Sequence, residues 1–567
     1  MIIFINIIFF YFSFIFSKTI NNNNDIKTES IITGNIYYIY SSNEFIYKEG
    51  PYDPNSVVYA TYKPSYEETG WDYLTIETYN GSDYRYLDEV KSYAMGYIEG
   101  ILTYKRIYYS YINLNHYKYY KNDSKMYNNT YEFFRENLNF MKYNSLKYKD
   151  NDSYWNEVYN LYKQMIGLYE GYNLMANDKE KIDLISFQNI ISLGDIDEIE
   201  YWKNISNRPN YKNMTLDQIK KYTLLHNHCT SLIKILPDFS DIFFGHNTWT
   251  GYNKLIRIFK EYKFVPNPNH DFPGKIIIMS SYPGAINSQD DFYITSADLY
   301  ITETTNNVFN ETLFDFLNPK TLMCWMRTMV ANRLSNSGKE WVNIFKKYNS
   351  GTYNNQFQIL DMKKIDLNNK KLEDSDVLWI IEQLPNYTEE HDVTQTLKYG
   401  YWPSYNVPYS EYIFEYSGYK EYIEKFPELY NIYDYNNCGR AKIIRRDNYK
   451  INDIESFKSF LRYNDYKNDN FSDGDACNSI ACRADLYEEI NIECFGATDA
   501  KFTSLKNFKE NGYIYIISGP TYDQQKIFDW NSTNCYKNES LKEKWAYYGQ
   551  VNEYNFEWQI YKSNLIN

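Results

Sequence analysis

The apolar residues of this chain change period once, near Cys229, and that change constrains the fold class before composition is consulted. Ahead of it, Leu87, Val90, Tyr93, Ala94, Tyr97, Ile98 and Ile101 recur at the spacing of one helix face, and Tyr131, Phe133, Phe134 and Leu138 restart the pattern. Asn151-Asp152-Ser153 reads as a cap before a further helical run over residues 154–173, which the polar Asn177-Asp178-Lys179-Glu180 breaks. Residues 201–222 are polar, without clear period, and read as an exposed linker ending at Cys229. Beyond it come short β-rich runs at 275–281, 292–295, 299–304, 356–361 and 377–382, with helical segments at 321–334 and 339–348. Helices first and sheets afterwards predict an α+β protein, and no repeat of fixed period interrupts that reading.

The turning point carries its own chemistry. His226, His228 and Cys229 precede Leu232-Ile233-Lys234-Ile235-Leu236, which reads as a buried strand. A Pro-Asp turn leads to a second strand ending at His246. A thiol at the head of one strand then meets a histidine at the end of its hairpin partner, an arrangement suited to an activated nucleophile. The competing reading is a small buried cysteine beside core histidines.

The first seventeen residues are almost wholly apolar, too short for a membrane span, and predict a cleaved secretory signal over residues 1–17. Asn80, Asn122, Asn128, Asn151, Asn204, Asn213, Asn310, Asn386, Asn470, Asn531 and Asn538 each stand in an Asn-x-Ser/Thr acceptor motif, which fits a secreted or lysosomal glycoprotein. A net charge of −14 argues against nucleic acid as a partner. Seven cysteines in such a route leave at least one outside any disulfide, and Cys229 is our choice. Cys477 and Cys482 are close enough in sequence to pair with each other, and no His or Cys partners at ligand spacing make them a metal site.

A series of blocks resembles the phospholipase B-like, or lamina ancestor-like, proteins. They include Gly96-Tyr97-Ile98-Glu99-Gly100, His228-Cys229-Thr230-Ser231, Gly245-His246-Asn247-Thr248-Trp249, Ser280-Ser281-Tyr282-Pro283-Gly284 and Asp290-Asp291-Phe292-Tyr293. Further on come Glu303-Thr304-Thr305-Asn306, the 349–356 block, Tyr401-Trp402-Pro403-Ser404-Tyr405-Asn406-Val407-Pro408, Arg445-Arg446-Asp447, Arg462-Tyr463-Asn464-Asp465-Tyr466 and Gly519-Pro520-Thr521-Tyr522-Asp523-Gln524. Thr230-Ser231 departs conservatively from the Ser-Ala type of pair usual after the cysteine.

The resemblance implies a hydrolase of the N-terminal nucleophile type, with a four-layer αββα sandwich. It implies self-cleavage at His228–Cys229 into a helical 18–228 piece and a catalytic 229–567 piece that stay associated. It places His246 and Trp249 beside the nucleophile Cys229, Asn406 as oxyanion donor, and Thr305 and an arginine as support for the substrate pocket. Arg440 is favoured for that arginine, with Arg445 and Arg446 as competitors. The implied substrate is a glycerophospholipid acyl ester or an N-acyl amide, with peripheral membrane contact allowed; the scheme needs no cofactor and no metal. A lipid-binding glycoprotein without turnover is the alternative of a different class. Taken alone, Trp249 also reads as core, Asn406 as a turn cap, the 349–356 block as a structural turn, and Arg445-Arg446-Asp447 as a surface ion pair. A papain-like protease lacks its sequence context around Cys229.

Overall fold

A computed structural model describes residues 31–79, 81, 85–121, 124–226, 229–289, 291–488, 492–537 and 545–565. The expected signal over 1–17, His228 and the sequons at Asn80, Asn122 and Asn538 lie outside them.

The chain is α+β and built on two sheets. The larger has eleven strands, running from Tyr387–Asp392 at one edge through Leu299–Thr305 and Ile258–Lys263 to Glu44–Glu49 at the other. The smaller has six, with Tyr401–Ser404, Thr230–Ile235, Ile242–Asn247 and Asp499–Ser504 adjacent in that order. The sheets face each other through Ile233, Ile235, Ile242 and Phe244 on one side and Phe259, Ile278, Phe292, Tyr300 and Ile380 on the other. Alternate residues of the same strands, Leu232 and Phe243, point the other way, into a core with Ile443, Ile444, Phe457 and Leu461 of two helices. The outer face of the large sheet is covered by the long helices Asp88–Lys121 and Ser153–Met175, whose Ile98, Met165 and Leu168 join Ile258, Met279 and Ile301. The central strands of both sheets, such as Thr230–Ile235 and Ile276–Ser281, are therefore buried on two faces, while the edge strands Glu44–Glu49 and Tyr387–Asp392 stay partly exposed.

Those two helices approach each other closely because glycines line the crossing. A Cβ on Gly96 would fall 1.8 Å from the Gln164 carbonyl oxygen, and one on Gly167 would fall 2.0 Å from that of Tyr93. The expected cap is present: the Asp152 side chain accepts from the Tyr154 amide.

Two expectations need correction. The N-terminal part is not helices alone, because Ile32–Ile39, Glu44–Glu49, Val58–Lys63 and Asp72–Thr78 form one end of the large sheet. Asp72–Thr78 pairs in parallel with Ile258–Lys263, so segments before and after Cys229 share one sheet. Nor is 201–222 a bare exposed linker. Tyr201, Trp202, Tyr211 and Ile219 are buried, and Leu216–His226 forms a helix. Apolar burial of a few large side chains outweighs the polar composition of that segment.

Cys477–Cys482 and Cys494–Cys535 are disulfides, the second unforeseen. Cys229, Cys324 and Cys438 remain outside them, all buried, so the odd cysteine is one of three. No helix among the described residues is long and apolar enough to cross a membrane.

Candidate active site

The site lies between the sheets at the head of the Thr230–Ile235 strand. Cys229, immediately before that strand, is 1% exposed and has φ of 91°. A side chain with a Cβ rarely adopts that backbone region, and holding it there costs about 1–3 kcal/mol. The neighbouring pairing is regular: Thr230 lies opposite Asn247 and Ser231 opposite His246. Asn247 fixes the strand head, accepting from the Thr230 amide at 3.1 Å and from Trp249 Nε1 at 2.8 Å. Its Nδ2 donates to the carbonyls of Leu461 and Ile480 at 2.8 and 2.9 Å.

The opposite sheet supplies the acidic group. Glu303, within the Leu299–Thr305 strand, brings Oε1 to 4.0 Å from Cys229 Sγ. The same oxygen accepts from the Tyr353 hydroxyl at 2.7 Å. His246 Nε2 lies 3.0 Å from the Glu303 backbone carbonyl. A carbonyl only accepts, so in the neutral ring the proton sits on Nε2 and the lone pair on Nδ1. Burial and the Glu303 charge push the Tyr353 phenol well above its ordinary range, keeping it a neutral donor.

Arg440 stands on the other side of the cysteine. Its Nη1 donates to the Cys229 carbonyl at 2.9 Å and to Thr230 Oγ1 at 3.3 Å, and its guanidinium lies 4.5 Å from the Trp249 ring centroid. Burial lowers its pKa to about 10, which still leaves it charged at neutral pH. The two rival arginines stand elsewhere. Arg445 donates to the Asn436 carbonyl, and Arg446 pairs with Asp447 and Asp469 at 2.6 and 2.9 Å.

A cavity of about 80 Å³ opens on Cys229, Trp249, Thr305 and Tyr353. Tyr201, Tyr211 and Tyr222, from the segment ahead of the cysteine, wall its other side. That space has room for a few waters. Thr305 lines it; Asn406 is one step removed, donating from Nδ2 to the Thr305 carbonyl at 2.6 Å. Asn406 holds φ of 67°, and its own carbonyl accepts from the Tyr419 hydroxyl at 3.0 Å.

The structure thus brings together Cys229, His246, Trp249 and Arg440, with Thr305 on the cavity wall and Asn406 buried behind it. Sequence reasoning missed Glu303, Tyr353 and Asn247 as members, although each stands in a block quoted above. The turn reading of 349–356 holds for Gly351, at φ of 75°, yet the same turn delivers Tyr353. Glu198 also lines the cavity, accepting from the Tyr353 amide at 3.2 Å, and burial beside Asp197 raises its pKa to about 8. Among the acceptor asparagines, Asn128, Asn151, Asn213, Asn386, Asn470 and Asn531 are exposed, Asn310 is half-buried, and Asn204 is buried.

Comparison with known proteins agrees over nearly the whole length. The family model described as Phospholipase B matches residues 58–561. Phospholipase B-like 1 of Homo sapiens is 37% identical over 517 residues, covering 90% of this chain and 88% of that one. Phospholipase B-like 1 of Bos taurus is 35% identical over 500 residues, with 87% and 88% covered. Phospholipase-B 81 of Drysdalia coronoides is 36% identical over 520 residues, with 90% and 91% covered. On the matched family and these relatives, the chain belongs to the phospholipase B family.

Proposed function

We propose that the chain is an acyl hydrolase of the N-terminal nucleophile type, which cuts itself at His228–Cys229 and then uses Cys229 to release fatty acids from glycerophospholipids. The observation that carries this reading is the Cys229 backbone: a positive φ of 91° at the residue expected to lead the mature fragment, with Glu303 beside its sulfur and Arg440 on its carbonyl. Backbone strain held by a packed surround clusters at active sites. The helix–sheet–sheet–helix stacking supports the αββα sandwich of that enzyme class.

In the self-cleavage step, Sγ attacks the His228 carbonyl carbon as its proton passes to Glu303 or His246. The C–N bond to Cys229 breaks and the leaving nitrogen takes up a proton. Water then hydrolyses the thioester. The freed α-amine has an unperturbed pKa of about 8, so it serves as the base for its own thiol in later turnovers. The family resemblance gives Asn406 the oxyanion-donor role, which needs its Nδ2 to turn from the Thr305 carbonyl toward the cavity, with Thr305 and Trp249 on the acyl side. Arg440 acts by positioning, holding the Cys229 carbonyl and stacking on Trp249.

The phospholipid substrate rests on what the relatives are called, Phospholipase B-like 1 and Phospholipase-B 81. Amide cleavage is a second reading with its own support, since the first bond presented to Sγ is a peptide. The two disulfides favour an oxidising, secretory compartment, in keeping with the expected signal and sequons. Cleavage releases one end of the segment carrying Tyr201, Tyr211 and Tyr222, so that the small cavity can widen.

The test is to incubate processed protein with phosphatidylcholine and, separately, with N-acyl amides at acid pH, and to measure fatty acid released. Release from phosphatidylcholine supports the proposal. Release from the amides alone replaces the substrate, and release from neither, in correctly cut protein, leaves a lipid-binding glycoprotein.

A further inference from the structure

Cys229, His246 and Glu303 each present a ligand atom, and the sulfur, the imidazole nitrogen and the carboxylate oxygen all lie within 4.8 Å of one another. All three residues are buried. The set mixes a soft thiolate, an imidazole and a carboxylate, donors that suit zinc and not magnesium or calcium. Tetrahedral zinc, with bonds of about 2.3 Å to sulfur and about 2.0–2.2 Å to nitrogen and oxygen, sets its ligand atoms roughly 3.3–3.8 Å apart. Closing from the present separations takes side-chain shifts of about an ångström or less.

The surround is what a metal centre needs. A metal-bound histidine usually gives its other ring N–H to a backbone carbonyl or carboxylate, and His246 Nε2 already donates to the Glu303 carbonyl. In that tautomer the ring lone pair is on Nδ1. A ligating carboxylate is usually held by a further hydrogen bond, and Tyr353 provides it at 2.7 Å. Cys229 lines the small cavity, which has room for a water as fourth ligand.

From this geometry we infer that Cys229, His246 and Glu303 form a zinc-binding site, and that an ion there restrains the nucleophile. The inference rests on the reading of Cys229 as nucleophile for its consequence, though not for the binding itself. When zinc binds, the thiol proton is lost to solvent and the sulfur lone pair is given to the metal. With a lone pair given to zinc and its approach blocked by the ion, the sulfur is a weaker nucleophile toward the carbonyl than a free thiolate, so self-cleavage and turnover slow while the ion is bound. Removing the ion restores the thiol unchanged, with no oxidation or covalent scar. In the cut protein the α-amine of Cys229 closes a five-membered chelate with Sγ, so processed chain holds the metal more tightly than precursor.

The experiment titrates chelator-treated protein with cobalt(II), a spectroscopic stand-in for zinc, and reads the near-ultraviolet thiolate-to-cobalt absorption. Zinc is then added to displace it. The expected result is one equivalent of cobalt bound, an absorption abolished in Cys229→Ser, and a loss of affinity of about 10–100-fold in Tyr353→Phe with the absorption retained. Circular dichroism confirms that each variant is folded. In parallel, zinc should slow self-cleavage, and a chelator should restore it. Wild-type protein that gives no thiolate absorption at millimolar cobalt, yet cuts at Cys229, overturns the metal site and leaves the nucleophile intact. Absorption lost in Cys229→Ser, in wild-type protein that never cuts, sustains the metal site while the nucleophile reading fails. Absorption that persists in Cys229→Ser places the metal elsewhere and overturns the inference.

Discussion

Arg440 Nη1 donates to the carbonyl oxygen of Cys229 at 2.9 Å, while the guanidinium lies 4.5 Å from the Trp249 ring centroid. One planar group therefore fixes the backbone of the cysteine and the indole beside it. A lysine reproduces the charge and can donate, but lacks the planar face that stacks on the indole. Arg440→Lys is expected to fold but to lower turnover by about 100-fold through misplacement of the sulfur, with a smaller effect on KM. Rate constants of correctly cut protein check this; an unchanged kcat removes Arg440 from the positioning role.

Maturation is the next test. The larger fragment should begin at Cys229, read directly by N-terminal sequencing. Cys229→Ala is expected to give uncut, folded chain, since the swap removes one buried sulfur and leaves a small cavity. Cys229→Ser should cut more slowly, because a hydroxyl is the weaker nucleophile near neutral pH. Cutting of the alanine variant at the same bond would assign the step to another protease.

Cys229 was legible because the change of period, the odd cysteine and the matched blocks all pointed to it. Glu303 was not: its carboxylate meets the sulfur across 74 residues of sequence and from the other sheet, a contact no local pattern encodes. Tyr353 was hidden among 65 tyrosines, because its bond to Glu303 is made by the fold and by no local pattern. The strands from Ile32 to Thr78 escaped notice because tyrosines occupy both inward and outward positions and blur the alternation of two. The 201–222 segment was misjudged for a related reason. Its polar average conceals Tyr211 and Ile219, which anchor it.

The Asn406 assignment separates from its turn-cap alternative by choice of substitution. Its φ of 67° makes alanine strained there, so Asn406→Gly is the cleaner probe: glycine tolerates the backbone while losing the carboxamide. An oxyanion donor lost in this way should lower kcat by roughly 100–1,000-fold with little change in KM. Near-full turnover in folded Asn406→Gly would return Asn406 to holding the Thr305 carbonyl.

Stability should rise on acidification through the neutral range. Burial lifts the Glu198 pKa to about 8 and that of Glu382 to about 6, both above the ordinary glutamate value of about 4.5. Between the unfolded and folded values the native state binds more protons than the unfolded chain. These two groups therefore favour folding most below about 4.5, and that contribution is lost as pH climbs through 6 and then 8. The urea midpoint should be higher at pH 5 than at pH 8, and Glu198→Gln should flatten the dependence. An equal slope in the variant would deny Glu198 this part.

If the chain is cut at Cys229 as proposed, a buried ion pair joins the two pieces alongside their shared sheet. Glu99, on the long helix ahead of the cut, receives Lys260 Nζ at 2.7 Å and the Tyr262 hydroxyl, both from the Ile258–Lys263 strand beyond it. Both charged side chains are fully buried. Such a pair is costly to break from one side, because the remaining charge is stranded away from water; the loss is about 3–5 kcal/mol. Replacing both partners by apolar residues of similar volume removes the stranded charge and is often close to neutral. Glu99→Gln in processed protein should therefore lower the urea midpoint and release the smaller fragment on gel filtration at urea concentrations the wild type withstands. Glu99→Leu combined with Lys260→Met should restore most of that loss, though Tyr262 then lacks its acceptor. If Glu99→Gln holds the fragments as firmly as wild type, the strand pairing between Asp72–Thr78 and Ile258–Lys263 carries the association by itself.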